Sequence, residues 1–284
     1  MKQSDNEHQQ KIDGWLEARA GNDRSFDLSI VIPAYNEQWR LPTTLIDIID
    51  YLSRTNRHAE IIVVDDGSTD LTVDTVRKFE RINPSMRLLR IAQNRGKGHA
   101  VRSGVLNAYG RWVLFTDADG STPIAELERL ETALRSGGDI AIGSRALPSE
   151  STAIHTASHR KIIGRIFNWF VNLMVLPKLA DTQCGFKLFS AEAARFLFER
   201  QKTDGFGFDV EILFIAQQAG LVIHEIPINW TNAPGSKVNL IKDSLLMFMD
   251  IFKARLRHRR VSPKDWQQLR TAQQNSNHEN PLAP

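Results

Sequence analysis

Two carboxylates one residue apart, Asp117 and Asp119, follow an apolar run that ends at Thr116. Alternate residues at a strand end point the same way, so both can present oxygen ligands from a rigid support. Mg²⁺ and Mn²⁺ favour such ligands and take the remainder from water and phosphate oxygens. An isolated Asp-x-Asp is usually a solvated turn. Because other polar strand ends lie beside this one, we predict that these carboxylates hold Mg²⁺ or Mn²⁺ with a nucleotide diphosphate.

Two further polar segments follow apolar runs. Asp65 and Asp66 end the run EIIVVDD, and a buried carboxylate there can accept a hydrogen bond from the edge of a nucleotide base. Capping of the next helix would explain residues 68–70 but not two adjacent acids. The segment PAYNE offers an aromatic face and backbone groups for a base through Pro33, Tyr35 and Glu37, although alone it is a turn.

A glycine-flanked basic loop, NRGKG, spans residues 94–98 and contains Lys97. It opens a predicted helix, and a helix N-terminus with a cation suits an anionic ligand. Its spacing is not that of a P-loop, and no G-x-G-x-x-G follows the first strand. The loop therefore indicates phosphate binding outside the two common nucleotide-binding motifs.

Short apolar runs alternate with amphipathic stretches between residues 28 and 143. We predict strands at LSIVIP, EIIVVDD, MRLLRI, RWVLFTDAD and DIAIGS, and helices at 41–53, 70–81, 99–109 and 123–135. Thr122 and Pro123 form a plausible helix start. This alternation predicts βαβ units and a mostly parallel sheet flanked by helices. The polar strand ends then meet at one edge of the sheet.

The second half is less regular. We predict helices at 160–176, from 191, at 208–218 and at 239–259, with a strand at LVIHEIPIN. The last helix is amphipathic and ends in a basic cluster, Lys253–Arg260. Residues 1–25 and 261–284 are polar, and we predict that both are disordered around one domain at 26–260.

Composition sets broad limits. Apolar residues make up 42% and charged residues 24%, as in ordinary globular proteins. One cysteine, Cys184, excludes an internal disulfide and a cysteine zinc site. A net charge of +3 is too weak to indicate nucleic acid, and we predict no nucleic-acid partner. No signal peptide or spanning run is evident, so we expect a cytoplasmic protein, in solution or peripheral on a membrane.

Together, PAYNE, VVDDGSTD, NRGKGHAVRSG, FTDADGST, GSR, DTQCGFKLF, FDVE and GSKV occur in the order typical of family 2 glycosyltransferases with the Rossmann-like GT-A fold. The resemblance covers residues 28–257. Within the family, DTQCGFKLF and GSKV resemble the dolichyl-phosphate β-glucosyltransferase branch most, and the polyprenyl-phosphate mannose synthases next. One departure is that eukaryotic members of the glucosyl branch carry an N-terminal membrane anchor, which we do not find here.

On the donor side, the resemblance implies that Asp66 reads the base, with Tyr35 and Glu37 in the same pocket and Lys97 nearby. The two carboxylates of the DAD motif would hold the metal and the diphosphate. On the acceptor side, Arg145 and Arg160 would approach a phosphate.

The resemblance further implies that Asp181 and Gln183 lie beside the sugar and that Lys237 neutralises phosphate charge. The expected reaction is an inverting displacement that moves glucose from UDP-glucose to a polyprenyl or dolichyl phosphate at the cytosolic membrane face. Alternatives are GDP-mannose as donor or a saccharide hydroxyl as acceptor. A hydroxyl would require a general base, for which Asp181, Asp209 and Glu211 are candidates.

Two other classes stay open. A nucleotidyltransferase shares the sheet and the metal carboxylates but usually has a glycine-rich loop after the first strand, which PAYNE does not supply. A non-catalytic nucleotide-sugar binding module is disfavoured by the intact DAD motif. The helices predicted at 160–176 and 239–259 are either packing helices or peripheral membrane contacts.

Overall fold

The computed structural model of the chain describes residues 26–147, 149, 152–155, 176, 179–232, 249–250 and 252–279. The strands are β1 (Leu28–Ala34), β2 (Ala59–Asp66), β3 (Met86–Ile91), β4 (Trp112–Thr116), β5 (Ile140–Ser144), β6 (Ile154–His155), β7 (Phe186–Ser190), β8 (Ile223–Pro227) and β9 (Trp230–Thr231). The helices are α1 (Leu41–Arg54), α2 (Thr72–Ile82), α3 (Lys97–Leu106), α4 (Leu127–Arg135), α5 (Ala191–Arg200), α6 (Phe208–Gln218) and α7 (Pro263–Glu279).

Seven strands form one sheet in the order β3-β2-β1-β4-β7-β5-β8, and β6 pairs with β9 separately. Strands β1 to β4 are parallel, whereas β7 runs antiparallel between β4 and β5. Every residue of β1 and β2 is buried, as expected for central parallel strands covered on both faces. The predicted α/β fold, a mostly parallel sheet flanked by helices, is confirmed.

Alternation along β1 divides the apolar core into two layers. Leu28, Ile30 and Ile32 pack with residues of α1, α2 and α4, whereas Val31 packs with residues of α3, α5 and α6. The α3 layer lies very close to the sheet, since a Cβ at Gly104 would be 2.4 Å from a methyl carbon of Val31. This close approach fixes the position of α3 relative to the sheet. It therefore also fixes the position of the basic loop that precedes α3.

Sequence and structure agree on most elements. Helix α6 has the predicted bounds. The helices of the first half, α1 to α4, begin and end within a few residues of their predicted bounds. The helix predicted from residue 123 begins instead with a 3₁₀ turn, Ile124–Glu126, which has no side-chain cap. Strand β7 was not predicted, because its five residues contain a lysine and its neighbours in the sheet come from earlier in the chain.

Residues 263–279, which lie in the polar tail predicted to be disordered, form α7. Trp266 is buried and packs edge-on against Phe196 of α5, with 5.3 Å between ring centroids. Val261 and Leu269 join the same core layer. These three apolar residues connect an otherwise polar segment to the core. Residues 1–25 and 156–175, where a disordered segment and most of a helix were predicted, lie outside the described residues.

We expect Trp266→Ala to lower the free energy of unfolding by about 3 kcal/mol, because it empties a buried aromatic site. Urea denaturation measures the change. The exposed neighbour Gln267→Ala is the control and should leave stability within about 0.5 kcal/mol. Equal stabilities for both variants would show that α7 does not belong to the folded core.

Candidate functional site

The polar ends of β1, β2 and β4 meet at one edge of the sheet, as predicted. The amide of Asn36 donates to the Ser68 hydroxyl at 2.8 Å, joining the loops after β1 and β2. The Thr44 hydroxyl of α1 donates to the carbonyl of Ala118 at 2.9 Å, joining α1 to the loop after β4. These short hydrogen bonds hold the three segments as one surface.

Asp117 is held between a glycine and a lysine. Its amide donates to the Gly185 carbonyl at 3.1 Å, and its carboxylate lies 2.6 Å from the ammonium of Lys97. Burial lowers the pKa of Lys97, but the charges of Asp117 and Asp209 raise it more, so the net pKa is above its usual value. The neighbouring carboxylates therefore stabilise the cationic form of Lys97 beside the first carboxylate of the DAD motif.

Asp119 has a different neighbour, Arg40. The Arg40 guanidinium lies 3.9 Å from the Asp119 carboxylate and makes a two-point ion pair with Glu37, at 2.5 and 2.7 Å. Glu37, predicted to line the base pocket, thus positions an arginine next to the metal-binding candidate. Sequence reasoning missed Arg40, although an acid three residues before a base at a helix start was a usable signal.

The two adjacent acids of β2 have different roles. Both oxygens of Asp66 accept backbone amides of the basic loop, from Arg95 at 3.0 Å and from Gly96 at 2.8 Å. Asp65 is fully buried, and its Oδ2 has no hydrogen-bond partner in the part of the chain that the structure describes. Arg90 approaches that oxygen only to 3.8 Å. Asp66 therefore shapes the loop, and Asp65 is a buried carboxylate with one oxygen that the described residues leave without a hydrogen bond.

Arg145 and Asp181 form a tight pair beyond β5. The arginine side chain donates to both carboxylate oxygens, at 2.7 and 2.9 Å, and its amide adds a third bond at 3.0 Å. Burial raises the pKa of Asp181, but the charge and hydrogen bonds of Arg145 lower it more, leaving it below its usual range. Asp181 is thus a weak base that orients Arg145, whose guanidinium also lies 5.5 Å from the Trp230 ring centroid.

Beneath this surface lies a fully buried lysine that sequence reasoning did not single out. The ammonium of Lys187 donates to Asp209 at 2.5 Å and to the Cys184 carbonyl at 2.6 Å. Burial raises the pKa of Asp209 against the opposing charges of Lys187 and Lys97. Burial also raises the pKa of Cys184 to about 12, so its thiol stays protonated and is no nucleophile.

Glu211, a third candidate base, is engaged in structure. Its carboxylate accepts amides of Lys202 and Thr203, at 3.0 and 2.7 Å, and contacts His258 at 2.8 Å. Burial raises its pKa, but the hydrogen bonds from His258 and Thr203 lower it more. This side chain joins the loop before α6 to the C-terminal segment.

The remaining predicted site residues lie at the rim, in the sheet, next to Asp181 or outside the described residues. Pro33 is buried within β1, and Tyr35 is exposed at the rim. The amide of Gln183 donates to Asp181 at 3.2 Å. Arg160 and Lys237 lie outside the described residues, so their roles stay predictions.

The described residues fit a divalent cation that takes few protein ligands. Asp117 and Asp119 are partly exposed, and their hard oxygens stand at a rigid strand end. No cluster of three or more His, Cys, Asp or Glu arranged to hold a metal occurs within the ranges that the structure describes. The arrangement suits a cation whose other ligands are diphosphate and water.

Comparison with known proteins decides the family. Residues 29–198 match the model for Glycosyl transferase family 2. The chain belongs to this family. Sequence identity is 39% over 243 residues with a dolichyl-phosphate β-glucosyltransferase of Dictyostelium discoideum, covering 81% of this chain and 74% of that one. The corresponding protein of Drosophila melanogaster is 40% identical over 248 residues, covering 82% and 76%.

Solved structures agree in fold. The glucosyl-3-phosphoglycerate synthase of Mycobacterium tuberculosis with Mn²⁺ and UDP-glucose has a TM-score of 0.58 and 19% identity, covering 86% of this chain and 82% of that one. The same enzyme with phosphoglyceric acid has a TM-score of 0.60 and 20% identity, covering 82% and 80%. The predicted GT-A fold and the membership in family 2 are both confirmed, and the protein is a glycosyltransferase.

In this glycosyltransferase, we expect Gly185→Ala to disable donor binding without unfolding the protein. A Cβ at Gly185 would lie 2.0 Å from an Asp117 oxygen and would push that carboxylate out of place. Gly205→Ala is the matched control, since its nearest contact would be 3.9 Å. Titration calorimetry with UDP and Mn²⁺ checks the loss, and wild-type affinity in Gly185→Ala would contradict it.

Proposed function

We propose that the enzyme transfers glucose from UDP-glucose to a polyprenyl or dolichyl phosphate, with inversion at the anomeric carbon. The relatives named above, 39% and 40% identical over most of the chain, are dolichyl-phosphate β-glucosyltransferases. The observation that carries the proposal is the state of the candidate bases. All three are committed to cations or backbone amides, which suits an acceptor that is already an anion.

On the donor side, Asp117 and Asp119 would hold Mg²⁺ or Mn²⁺, which supplies positive charge to the nucleotide diphosphate. Lys97 and Arg40 stand beside these carboxylates and add charge where the leaving diphosphate becomes more negative. Asp65 offers its buried oxygen to an N–H of the base. Asp66 keeps its predicted role in reading the base, because each of its oxygens accepts only one loop amide and retains a second lone pair.

On the acceptor side, the fixed guanidinium of Arg145 suits a phosphate, which arginine grips at two points. A phosphate monoester has its second pKa near ~6 and is largely a dianion at neutral pH. Its oxygen attacks the anomeric carbon without losing a proton. A saccharide hydroxyl would need a base, yet Asp181 is ion-paired, Asp209 is paired with Lys187, and Glu211 is used by the fold.

The proposed acceptor carries a long apolar tail that stays in a bilayer. We therefore propose that the enzyme works as a peripheral protein on the cytosolic face of a membrane. No helix in the described part of the chain has the length and apolarity required to cross a bilayer.

Purified enzyme incubated with UDP-glucose, Mn²⁺ and a short-chain polyprenyl phosphate should form glucosyl polyprenyl phosphate, measured by mass spectrometry. GDP-mannose should give little product, and excess EDTA should stop the reaction. Preference for GDP-mannose would contradict the assignment of UDP-glucose as the donor. Transfer to a saccharide but not to the lipid phosphate would contradict the assignment of a lipid phosphate as the acceptor.

Asp119→Asn should lower the turnover number roughly 100-fold or more, since it removes a metal-facing charge worth several kcal/mol. The fold should stay intact by circular dichroism, because Asp119 is partly exposed at a loop. Asp74→Asn, an exposed acid on α2, is the control and should keep full turnover. Full turnover by Asp119→Asn would refute the metal assignment.

A further inference from the structure

The C-terminal helical segment at residues 249–250 and 252–257 packs with its polarity reversed. A surface helix normally buries its apolar side chains and exposes its polar ones. Here Ala254 and His258 face inward, whereas Met249, Phe252 and Leu256 are 44%, 54% and 53% exposed. The three exposed side chains recur at intervals of three and four residues, so they share one helix face.

The inward side fixes this orientation. His258 contacts the buried carboxylate of Glu211 at 2.8 Å. Asp250 packs against Gly207, where an added Cβ would lie 2.8 Å from the Asp250 Cβ. Rolling the helix to hide its apolar face would break the buried polar contact, which is costly. The exposed apolar face is therefore built into the fold.

Basic side chains outnumber acidic ones around this face, where Asp250 is the one acid of the described segment. Five basic residues surround the apolar side chains, and no acidic residue occurs between 252 and 264. Four of the five are exposed arginines, and Lys253 lies 3.8 Å from Asp250, its partner one turn away. The basic residues are Lys253, Arg255, Arg257, Arg259 and Arg260.

We propose that this face, formed by residues 249–250 and 252–260, docks on an anionic lipid bilayer, with Met249, Phe252 and Leu256 entering the headgroup boundary. The basic side chains contact lipid phosphates around them. This inference rests on the proposed function, since a polyprenyl phosphate acceptor lies in such a bilayer. A protein partner of the same shape would need acidic groups around an apolar centre, whereas an anionic bilayer presents both chemistries everywhere.

The proposed docking face is linked to the basic loop of the candidate site through residues 202–204. Glu211 holds the amides of residues 202 and 203, and His99 of α3 donates its amide to the Asp204 carbonyl at 3.1 Å. A Cβ at Gly98 would lie 2.5 Å from the Thr203 carbonyl, so this segment also supports the basic loop. Docking thereby sets the distance of the donor loop from the lipid surface.

Sedimentation with vesicles of phosphatidylcholine, with and without phosphatidylserine, tests the proposal on the full chain. Wild type should bind the anionic vesicles, more weakly at high salt. A triple variant, Met249→Ser, Phe252→Ser and Leu256→Ser, should bind about 10-fold more weakly or worse. The matched control replaces exposed apolar residues elsewhere, Ile82, Leu106 and Val222, with Ser and should bind as wild type does.

A charge series separates the two components. Replacing Arg255, Arg257, Arg259 and Arg260 with Gln should remove the salt-sensitive part of binding. The control changes four exposed basic residues on other helices to Gln, namely Arg77, Lys78, Arg81 and Arg195. Because the changed side chains are exposed, all variants should keep wild-type affinity for UDP-glucose.

The docking proposal is wrong if the wild-type protein stays in the supernatant with both vesicle types. It is also wrong if the serine triple variant binds vesicles as the wild type does. Self-association that the serine variant abolishes, without vesicle binding, would assign the face to a second copy instead. The short-chain acceptor distinguishes docking from the reaction. Vesicle binding without glucosyl transfer would overturn the proposed function alone, whereas transfer to the short-chain acceptor without vesicle binding would overturn docking alone.

Discussion

A chain of alternating charges beneath the strand ends holds the site together. The fully buried ammonium of Lys187 is paired with Asp209, and Lys97 is paired with Asp117. The charge of Asp209 also acts on Lys97, so the two pairs form one electrostatic unit. Leaving one ion of a buried pair without its partner destabilises the folded protein by several kcal/mol. Strands β4 and β7 and helices α3 and α6 must therefore meet in this one arrangement.

Glycines make the close approaches in this unit possible. Gly96 has a φ of +111° in the loop that leads to Lys97, and Asp66 holds that loop through two amides. Gly185 lies where any side chain would strike Asp117. Backbone geometry at these two positions, more than side-chain chemistry, sets the separation between the cation of the loop and the carboxylates of β4.

The sequence predicted those elements whose pattern lies within one short stretch of the chain. Apolar runs predicted β1, β2 and β4, and their polar ends predicted the position of the candidate site. The helix bounds of α6 follow from its own composition. Strand β7 and the pair of Lys187 with Asp209 depend on residues that the chain brings together from a distance, so no short pattern contains them. The same holds for Arg40 beside Asp119, and for α7, whose docking needs Phe196 of another helix.

The distribution of charge also supports the proposed anionic acceptor. An anion that attacks a diphosphate sugar meets repulsion from the diphosphate, and the repulsion grows as the site excludes water. In the proposed reaction, Lys97 and Arg40 would neutralise charge on the donor side, and Arg145 would do so on the acceptor side. Each of these cations is held by a carboxylate: Lys97 by Asp117, Arg40 by Glu37 and Arg145 by Asp181. Acidic side chains here position cations, and in the proposed reaction the nucleophile brings its own negative charge.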